Sequence, residues 1–164
     1  HGPMINTRVG LGFDMHRLVA GRPCILGGVR IDHPTGPLGH SDGDAVLHAV
    51  ADALLGAAGL DDLGTLFPDT DQAWKDADSS ALLREVAQRI KSAGWAVGNL
   101  DVVIATEGPR IAPHRSAMRE HMGGCMGIPA ECINIKGKSL EGLGALAGGS
   151  GIAVQAIALL HKGI

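Results

Sequence analysis

The stretch His40-Ser41-Asp42-Gly43-Asp44-Ala45-Val46-Leu47-His48 decides the fold that we expect, because a polar loop turns into an apolar helix within it. Ser41 and Asp44 have the spacing of a capping box, with Asp in the usual place of Glu. This pattern predicts a helix that begins at about Asp42 and runs to Leu55, with Gly56 as its C-terminal stop. The core-facing side of that helix is predicted to comprise Val46, Leu47, Val50, Ala53 and Leu54.

A different face of the same helix carries ionisable groups. Asp44, His48 and Asp52 follow one another at steps of four residues and therefore share this face. A carboxylate beside a metal-ligating imidazole can fix its tautomer, so the pattern suits a ligand histidine. It equally suits a half-buried His48 that only pairs with Asp44. His40 precedes the helix, near the positive end where a phosphate would bind.

The stretch upstream of this helix supplies further ligand types. Residues 7–13 alternate as a strand does and end at Asp14-Met15-His16. Residues two apart in a strand share a face, so Asp14 and His16 can converge on one ion, although an Asp-x-His also occurs in plain surface turns. Together with His48 they would give a zinc site with an open position, and His40 is a candidate fourth ligand.

The remaining segments predict one domain that mixes strands and helices. Glu141, beside Lys138 and Ser139, would suit a second, harder cation held jointly with phosphate oxygens. The glycine-rich residues 142–151 match neither the P-loop nor a dinucleotide fingerprint. The predicted elements are a strand or hairpin arm at 24–31 with Gly27-Gly28 as a bulge or turn, a helix from Ser79 or Ser80 to Ala93, a strand at 97–106, a helix at 112–122 ended by Gly123-Gly124, a strand at 133–138, and a final segment 152–162 that is helix or strand.

Composition excludes several classes of protein. A net charge of −3 and 2% aromatic residues argue against nucleic-acid binding. Cys24, Cys125 and Cys132 form no Cys-x-x-Cys pair, which suits a reducing, cytoplasmic location. No apolar run reaches the roughly 20 residues that span a bilayer, so we expect no membrane association. We interpret residues 1–3 as an expression-tag remnant and 4–164 as a single domain.

Spacing alone leaves two options, a metal-assisted phosphoryl-transfer enzyme or a metal-binding module.

Six motifs in register resemble one enzyme family, the 2-C-methyl-D-erythritol 2,4-cyclodiphosphate synthases, and the resemblance runs from Arg8 to Lys162. The motifs are Gly-Phe-Asp-x-His at 12–16, His-Ser-Asp-Gly-Asp-x-x-x-His at 40–48, Asp-Ala-Leu-Leu-Gly at 52–56, Leu-Phe-Pro-Asp-Thr-Asp at 66–71, Asn-Leu-Asp at 99–101 and Glu-x-Leu-Gly at 141–144.

This resemblance implies a single-domain α/β (α+β) sandwich, with a mixed four-stranded sheet and helices on one face. It also implies a homotrimer in which the sheets face the threefold axis, the active sites lie between subunits, and 152–162 is a strand. The implied reaction converts 4-diphosphocytidyl-2-C-methyl-D-erythritol 2-phosphate into the 2,4-cyclodiphosphate, with release of CMP, in the non-mevalonate isoprenoid pathway. The alternatives are a non-catalytic trimeric zinc-binding protein and a metal phosphatase.

The resemblance also assigns roles to individual residues. Asp14, His16 and His48 would hold Zn²⁺, and Glu141 would hold Mg²⁺ or Mn²⁺ with the substrate phosphates. His40 and Ser139 would stabilise the transition-state charge. Further substrate contacts are implied for Asp14, His16, His40 and Ser41, for Asp62, Leu63, Gly64, Phe67, Pro68, Asp69, Thr70 and Asp71 on the methylerythritol side, and for Thr106, Glu107, Gly108, Pro109, Arg110, Ile111, Ala112, Lys138, Ser139, Leu140 and Glu141 on the cytidine side.

Several positions depart from the family pattern. Ser139 stands where the family usually has Thr and keeps the hydroxyl, whereas Lys138 and Leu140 replace residues that are commonly Thr. The cytidine contacts of these two positions would then use the lysine charge or the backbone.

Ala145 and Gly148 replace the Phe and Arg that many members place in the cavity on the trimer axis. Loss of the arginine removes a bidentate partner for an anion. We therefore expect weak or absent binding of isoprenoid diphosphates in this cavity. Mass spectrometry of the purified protein checks this, and tightly retained farnesyl diphosphate would contradict it.

Overall fold

The computed structural model describes residues 6–39, 41–68 and 78–162. The predicted tag remnant at 1–3 lies outside these ranges. None of the helices within them has the length and hydrophobicity needed to cross a bilayer. The strands are β1 (Thr7–Ala20), β2 (Cys24–Leu26), β3 (Val29–Ile31), β4 (Thr35–Pro37), β5 (Trp95–Thr106), β6 (Ile133–Lys138) and β7 (Gly151–Lys162), and the helices are α1 (Ala45–Ala57), α2 (Leu63–Leu66), α3 (Ser79–Ser92) and α4 (Arg115–Met126).

The main sheet has five strands in the order β4-β1-β7-β5-β6, and only β5 and β6 pair in parallel. The expected mixed sheet is confirmed, but the expectation of four strands was wrong. The additional strand is β4, whose three residues pair with the end of β1 from Leu18↔Pro37 to Ala20↔Thr35. The sequence hid this strand because Pro34, Gly36 and Pro37 are typical of a loop, whereas proline is tolerated in an edge strand.

The two faces of the sheet differ sharply. On one face, alternate residues of β5 and β7 are buried under α1 and α3, and α4 packs against β6. On the other face, large apolar side chains are exposed, namely Val9 (70%), Leu11 (65%), Phe13 (50%) and Met15 (48%) of β1 and Ile157 (52%) of β7. A monomer seldom exposes such a continuous apolar surface, which is typical of a protein interface.

Helix α1 begins three residues later than predicted and ends two residues later. Asp44, not Ser41, is the N-cap, since its Oδ1 accepts a hydrogen bond from Leu47 N–H at 3.1 Å. The predicted core-facing residues of the helix, Val46, Leu47, Val50, Ala53 and Leu54, are all buried.

The cap of α1 also fixes a neighbouring hairpin. Of the two alternatives for Gly27-Gly28, a bulge or a turn, the structure shows the turn, and the N–H groups of Gly27 (2.9 Å) and Gly28 (2.7 Å) donate to the Asp44 carboxylate. Asp44 is completely buried. Burial raises the pKa of its carboxyl to about 6, against the lowering effect of these backbone donors.

Replacing Asp44 with alanine would leave three buried or half-buried N–H groups without their acceptor. We expect Asp44→Ala to lower the free energy of unfolding by about 3 kcal/mol, measured by urea denaturation. Asp78→Ala is the matched control, since Asp78 caps α3 from an exposed position through one bond to Ser80 N–H. That substitution should cost about 1 kcal/mol. Equal losses in the two variants would contradict this role of Asp44.

The backbone of helix α1 passes unusually close to the backbone of β1. A Cβ atom built on Gly12 would lie 1.8 Å from the carbonyl oxygen of Ala49, and one on Gly10 would lie 2.0 Å from that of Ala53. Only glycine therefore fits at these two positions. The backbone of the helix rests directly on the backbone of the strand, next to Asp14.

Two other helix boundaries also differ from the sequence prediction. Asp78 rather than a serine caps α3, which ends at Ser92. A 3₁₀ turn at Ala112–His114 precedes α4. That helix continues through Gly123-Gly124 to Met126, and Gly127, in the left-handed region at φ 70°, ends it. The segment from 152, which the resemblance identified as a strand, lies within β7, and β1 extends well beyond residue 13.

Candidate active site

Asp14, His16 and His48 meet at the contact between β1 and α1. His16 Nε2 lies 2.8 Å and His48 Nδ1 lies 3.2 Å from the same Asp14 oxygen, Oδ2. One ligand atom from each residue lies within 4.8 Å of the others, and in the described part of the chain this is the one group of three or more such residues. The predicted convergence is confirmed.

These donors fit a divalent cation of the zinc type. One carboxylate and two imidazoles are ligands that zinc accepts, and three protein ligands leave a position open. Burial favours the neutral Asp14 carboxyl, but hydrogen bonds and charge from the two histidines outweigh burial and lower its pKa. Burial opposes protonation of His16, yet the Asp14 hydrogen bond prevails and raises the pKa of His16. The cluster is therefore anionic at Asp14 and attracts positive charge.

The outer nitrogens of both rings are also held. His16 Nδ1 donates to the carbonyl oxygen of Leu38 at 2.8 Å. His48 Nε2 lies 2.8 Å from Ser79 Oγ and 3.2 Å from Ser41 Oγ. Each imidazole thus turns one nitrogen towards Asp14 and the other towards a fixed partner.

The prediction that Asp44 or Asp52 pairs with His48 was wrong. Asp44 faces the hairpin turn as described above, and Asp52 accepts from Leu63 N–H at 2.7 Å, which ties α1 to α2. Neither carboxylate is a hydrogen-bond partner of His48 in the structure. The residue that takes this role, Ser79, stands 31 positions away in the chain, so the helical spacing could not reveal it.

A second group of predicted residues lines a cavity of about 460 Å³ at the ends of β5 and β6. The parallel pairing of these strands, which sets Ala105 opposite Lys138, brings the two predicted segments together. Arg115, Ile135, Lys136 and Gly137 join them, and the sequence interpretation had not placed these four residues at the site. The lining residues are Thr106, Glu107, Pro109, Arg110, Ile111, Ala112, Arg115, Ile135, Lys136, Gly137, Lys138 and Ser139.

The cavity lining favours an anionic ligand and does not include the metal cluster. Arg110, Arg115 and Lys138 contribute positive charge and outnumber the one acidic lining residue, Glu107, whereas Lys136 is paired with Asp101 at 3.0 Å. Asp14, His16 and His48 are not among the lining residues. Within one chain the two predicted halves of the site are therefore distinct.

Two polar contacts hold the loop after β6, one within the loop and one to the residue that follows β5. Ser139 Oγ accepts from Glu141 N–H at 3.0 Å, and the Glu107 carboxylate accepts from Gly142 N–H at 3.1 Å. Glu141 adopts a positive φ of 54°, which is uncommon for a residue other than glycine. Leu140 and Gly108 belong to the same two segments but do not line the cavity.

The predicted methylerythritol-side residues lie around α2. Asp62 caps this short helix by accepting from Thr65 N–H at 2.8 Å, and Leu63 and Gly64 lie within it. Phe67 follows the helix and is buried, with Arg89 Cζ 5.0 Å from its ring centre. Pro68 is the last described residue before the gap. The predictions for His40, Asp69, Thr70 and Asp71 fall outside the described residues.

Comparison with known proteins covers nearly the whole chain. The family model of the YgbB family matches residues 7–161. The 2-C-methyl-D-erythritol 2,4-cyclodiphosphate synthase of Bordetella avium is 54% identical over 158 residues, which cover 96% of this chain and 98% of that protein. A solved 2C-methyl-D-erythritol-2,4-cyclodiphosphate synthase in a CDP-bound form has a TM-score of 0.86 at 40% identity, covering 93% of this chain and 99% of that one. IspF of Plasmodium falciparum in complex with CDP has the same TM-score at 30% identity, covering 99% and 100%.

Proposed function

Because the chain belongs to the YgbB family, we propose that it is a 2-C-methyl-D-erythritol 2,4-cyclodiphosphate synthase of isoprenoid biosynthesis. An oxygen of the substrate's own 2-phosphate attacks the β-phosphorus of its diphosphate. The new P–O bond closes the ring. The bond between the β-phosphorus and the bridging oxygen breaks, and its electron pair leaves with that oxygen as part of CMP. The observation that carries this proposal is the convergence of Asp14, His16 and His48, the residues that the sequence resemblance assigns to the metal.

This reaction depends on positioning and on charge neutralisation more than on acids or bases. Asp14, His16 and His48 would hold Zn²⁺, and Glu141 would hold Mg²⁺ or Mn²⁺ together with the substrate phosphates. When bound, these cations would neutralise phosphate charge as Lewis acids. The chain keeps its own ligands in place, since the Leu38 carbonyl fixes the His16 ring with Nε2 turned inwards.

The cavity between β5 and β6 is proposed to bind the cytidine part of the substrate. Its position agrees with the segments that the sequence resemblance assigned, and CDP is bound in two of the similar structures. Arg110 and Lys138 would face the phosphates, while Ser139 and His40 would stabilise charge that develops during transfer. The segment around α2 would contact the methylerythritol side.

We further propose a homotrimer in which neighbouring chains complete each site. Two observations support this assembly. The outward face of β1 and β7 is apolar and exposed, with Leu11 at 65%. The metal cluster and the cytidine-side cavity have no lining residue in common, so a neighbour would supply the missing half. Residues 4–164 as one domain and a cytoplasmic location, which suits the small charged substrate, remain predictions.

The products separate the proposed activity from its alternatives. A synthase releases CMP and cyclic diphosphate from 4-diphosphocytidyl-2-C-methyl-D-erythritol 2-phosphate. A metal phosphatase would release inorganic phosphate instead, and a non-catalytic trimeric zinc-binding protein would bind zinc and release neither. Following CMP and phosphate together in one assay, with and without a chelator, distinguishes the three.

A further inference from the structure

We propose that Ser79 and Asp42 are positioning residues that hold His48 in the tautomer required for metal binding. This inference rests on the proposed metal role of His48 and names residues outside the ligand set. Ser79 is the first residue of α3 and is 1% exposed. Asp42 lies in the loop before α1, so the pair joins two parts of the chain behind the metal cluster.

The two residues are firmly connected. Ser79 Oγ donates to Asp42 Oδ1 through a short hydrogen bond, and Ser79 N–H donates to Asp42 Oδ2 at 3.0 Å. Asp42 is held from its own side as well, because Asp44 N–H donates to Oδ1 at 3.1 Å. The carboxylate therefore has a fixed orientation, and it fixes the orientation of the hydroxyl.

The direction of each hydrogen bond follows from what each atom can do. An ionised carboxylate only accepts, so the hydroxyl hydrogen of Ser79 points to Asp42. A lone pair of Ser79 Oγ then faces His48 Nε2, 2.8 Å away, and the bond requires the ring hydrogen on Nε2. With a cation bound, His48 Nδ1 can then direct its lone pair to the proposed metal position, whereas without a cation a ring hydrogen on Nδ1 would donate to Asp14 Oδ2 at 3.2 Å.

His16 is also held by an acceptor at its outer ring nitrogen, which is Nδ1 in His16 and Nε2 in His48. The Leu38 carbonyl can only accept, which places a hydrogen on His16 Nδ1, so that Nε2 either donates to Asp14 Oδ2 in the protonated ring or directs its lone pair to a bound cation. Two histidines thus offer opposite ring nitrogens to one carboxylate oxygen. Ser41 Oγ adds a longer contact of 3.2 Å to His48 Nε2 and accepts from Gly43 N–H, and its hydroxyl hydrogen can point to the second lone pair of Ser79 Oγ, 3.5 Å away.

Zinc affinity, measured with the metal alone by competition against a chromophoric chelator, tests this proposal without substrate. Outer partners of metal ligands typically change affinity by about 10–100-fold when removed, and we expect a loss in that range for Ser79→Ala. Ser80→Ala is the matched control. Ser80 is the next residue, is also buried, and bonds a different histidine, His121, at 2.7 Å. Its removal should leave zinc affinity unchanged.

Asp42→Asn provides a second, independent variant. An amide can donate to Ser79 Oγ and release the hydroxyl hydrogen towards His48 Nε2, which would place the ring hydrogen on Nδ1. We expect zinc affinity to fall as for Ser79→Ala. In the zinc-loaded unsubstituted protein, the ¹⁵N resonances of His48 should show a hydrogen on Nε2 and a metal-bound Nδ1.

The outcomes are separable. If Ser79→Ala and Asp42→Asn both bind zinc as tightly as Ser80→Ala, the positioning role is overturned. If Ser79→Ala fails to fold, Asp42→Asn alone decides by the same criterion. If the unsubstituted chain itself binds no zinc, the proposed metal site is overturned instead, and the fault lies with the proposed function.

Discussion

Replacing His48 with alanine is expected to lower CMP release by about a thousandfold or more. The reason is that the substitution removes one of the three proposed metal ligands, and metal-ion neutralisation of phosphate charge is worth several kcal/mol at about 1.4 kcal/mol per factor of ten. A chelator should inactivate the unsubstituted protein to the same extent. Added Zn²⁺ should then restore the unsubstituted protein but not His48→Ala. Chromatographic measurement of CMP gives all of these rates.

His121→Ala is the matched control for this substitution. His121 is also a helix histidine hydrogen-bonded to a serine hydroxyl, but it lies on α4 and its partner is Ser80. It can lower stability through lost packing while zinc-dependent CMP release stays near that of the unsubstituted chain. A His48→Ala protein that keeps more than a tenth of the activity would contradict the proposed metal role.

Leu11→Asp is expected to convert the assembly into monomers and to abolish CMP release. Leu11 is 65% exposed on the apolar face of β1, and trimer formation would bury one unpaired carboxylate per chain at a cost of several kcal/mol each. Sedimentation velocity measures the assembly, and far-UV circular dichroism checks that the monomer keeps its fold. The monomer should still bind zinc, since all three metal ligands belong to one chain.

The combination of retained zinc and lost activity is specific to a site shared between subunits. Gln88→Glu introduces a negative charge at an exposed position of α3 and should change neither the assembly nor the activity. Monomers of Leu11→Asp that release CMP at the original rate would contradict the shared site. A Leu11→Asp protein that remains trimeric would contradict the proposed use of this face.

Local patterns of sequence predicted the convergence of Asp14, His16 and His48 well. The two-residue alternation of a strand is enough to place Asp14 and His16 on one face, and helical periodicity places His48 within reach. The same patterns misplaced the helix starts, because several polar residues near each start could serve as cap. Asp44 became the cap of α1 through bonds to Gly27 and Gly28, which are distant in sequence.

Contacts between distant segments lay beyond the residue patterns. Nothing near His48 in the chain points to Ser79, and the edge strand β4 depends on a partner, β1, rather than on strand-forming residues. The cytidine-side cavity needed the parallel pairing of β5 with β6, which composition does not encode. The resemblance to a family supplied those segments, and the structure then added Arg115.

The bare contact between Gly12 and the Ala49 carbonyl also bears on how this centre can evolve. Side chains in a packed core adjust to a substitution by changing rotamer, but peptide groups in van der Waals contact have no such freedom. The distance between Asp14 and His48 is thus set by main-chain atoms. Core residues elsewhere can be substituted without moving Asp14 relative to His48. Any side chain at Gly12, by contrast, would force these two residues apart although it touches neither of them.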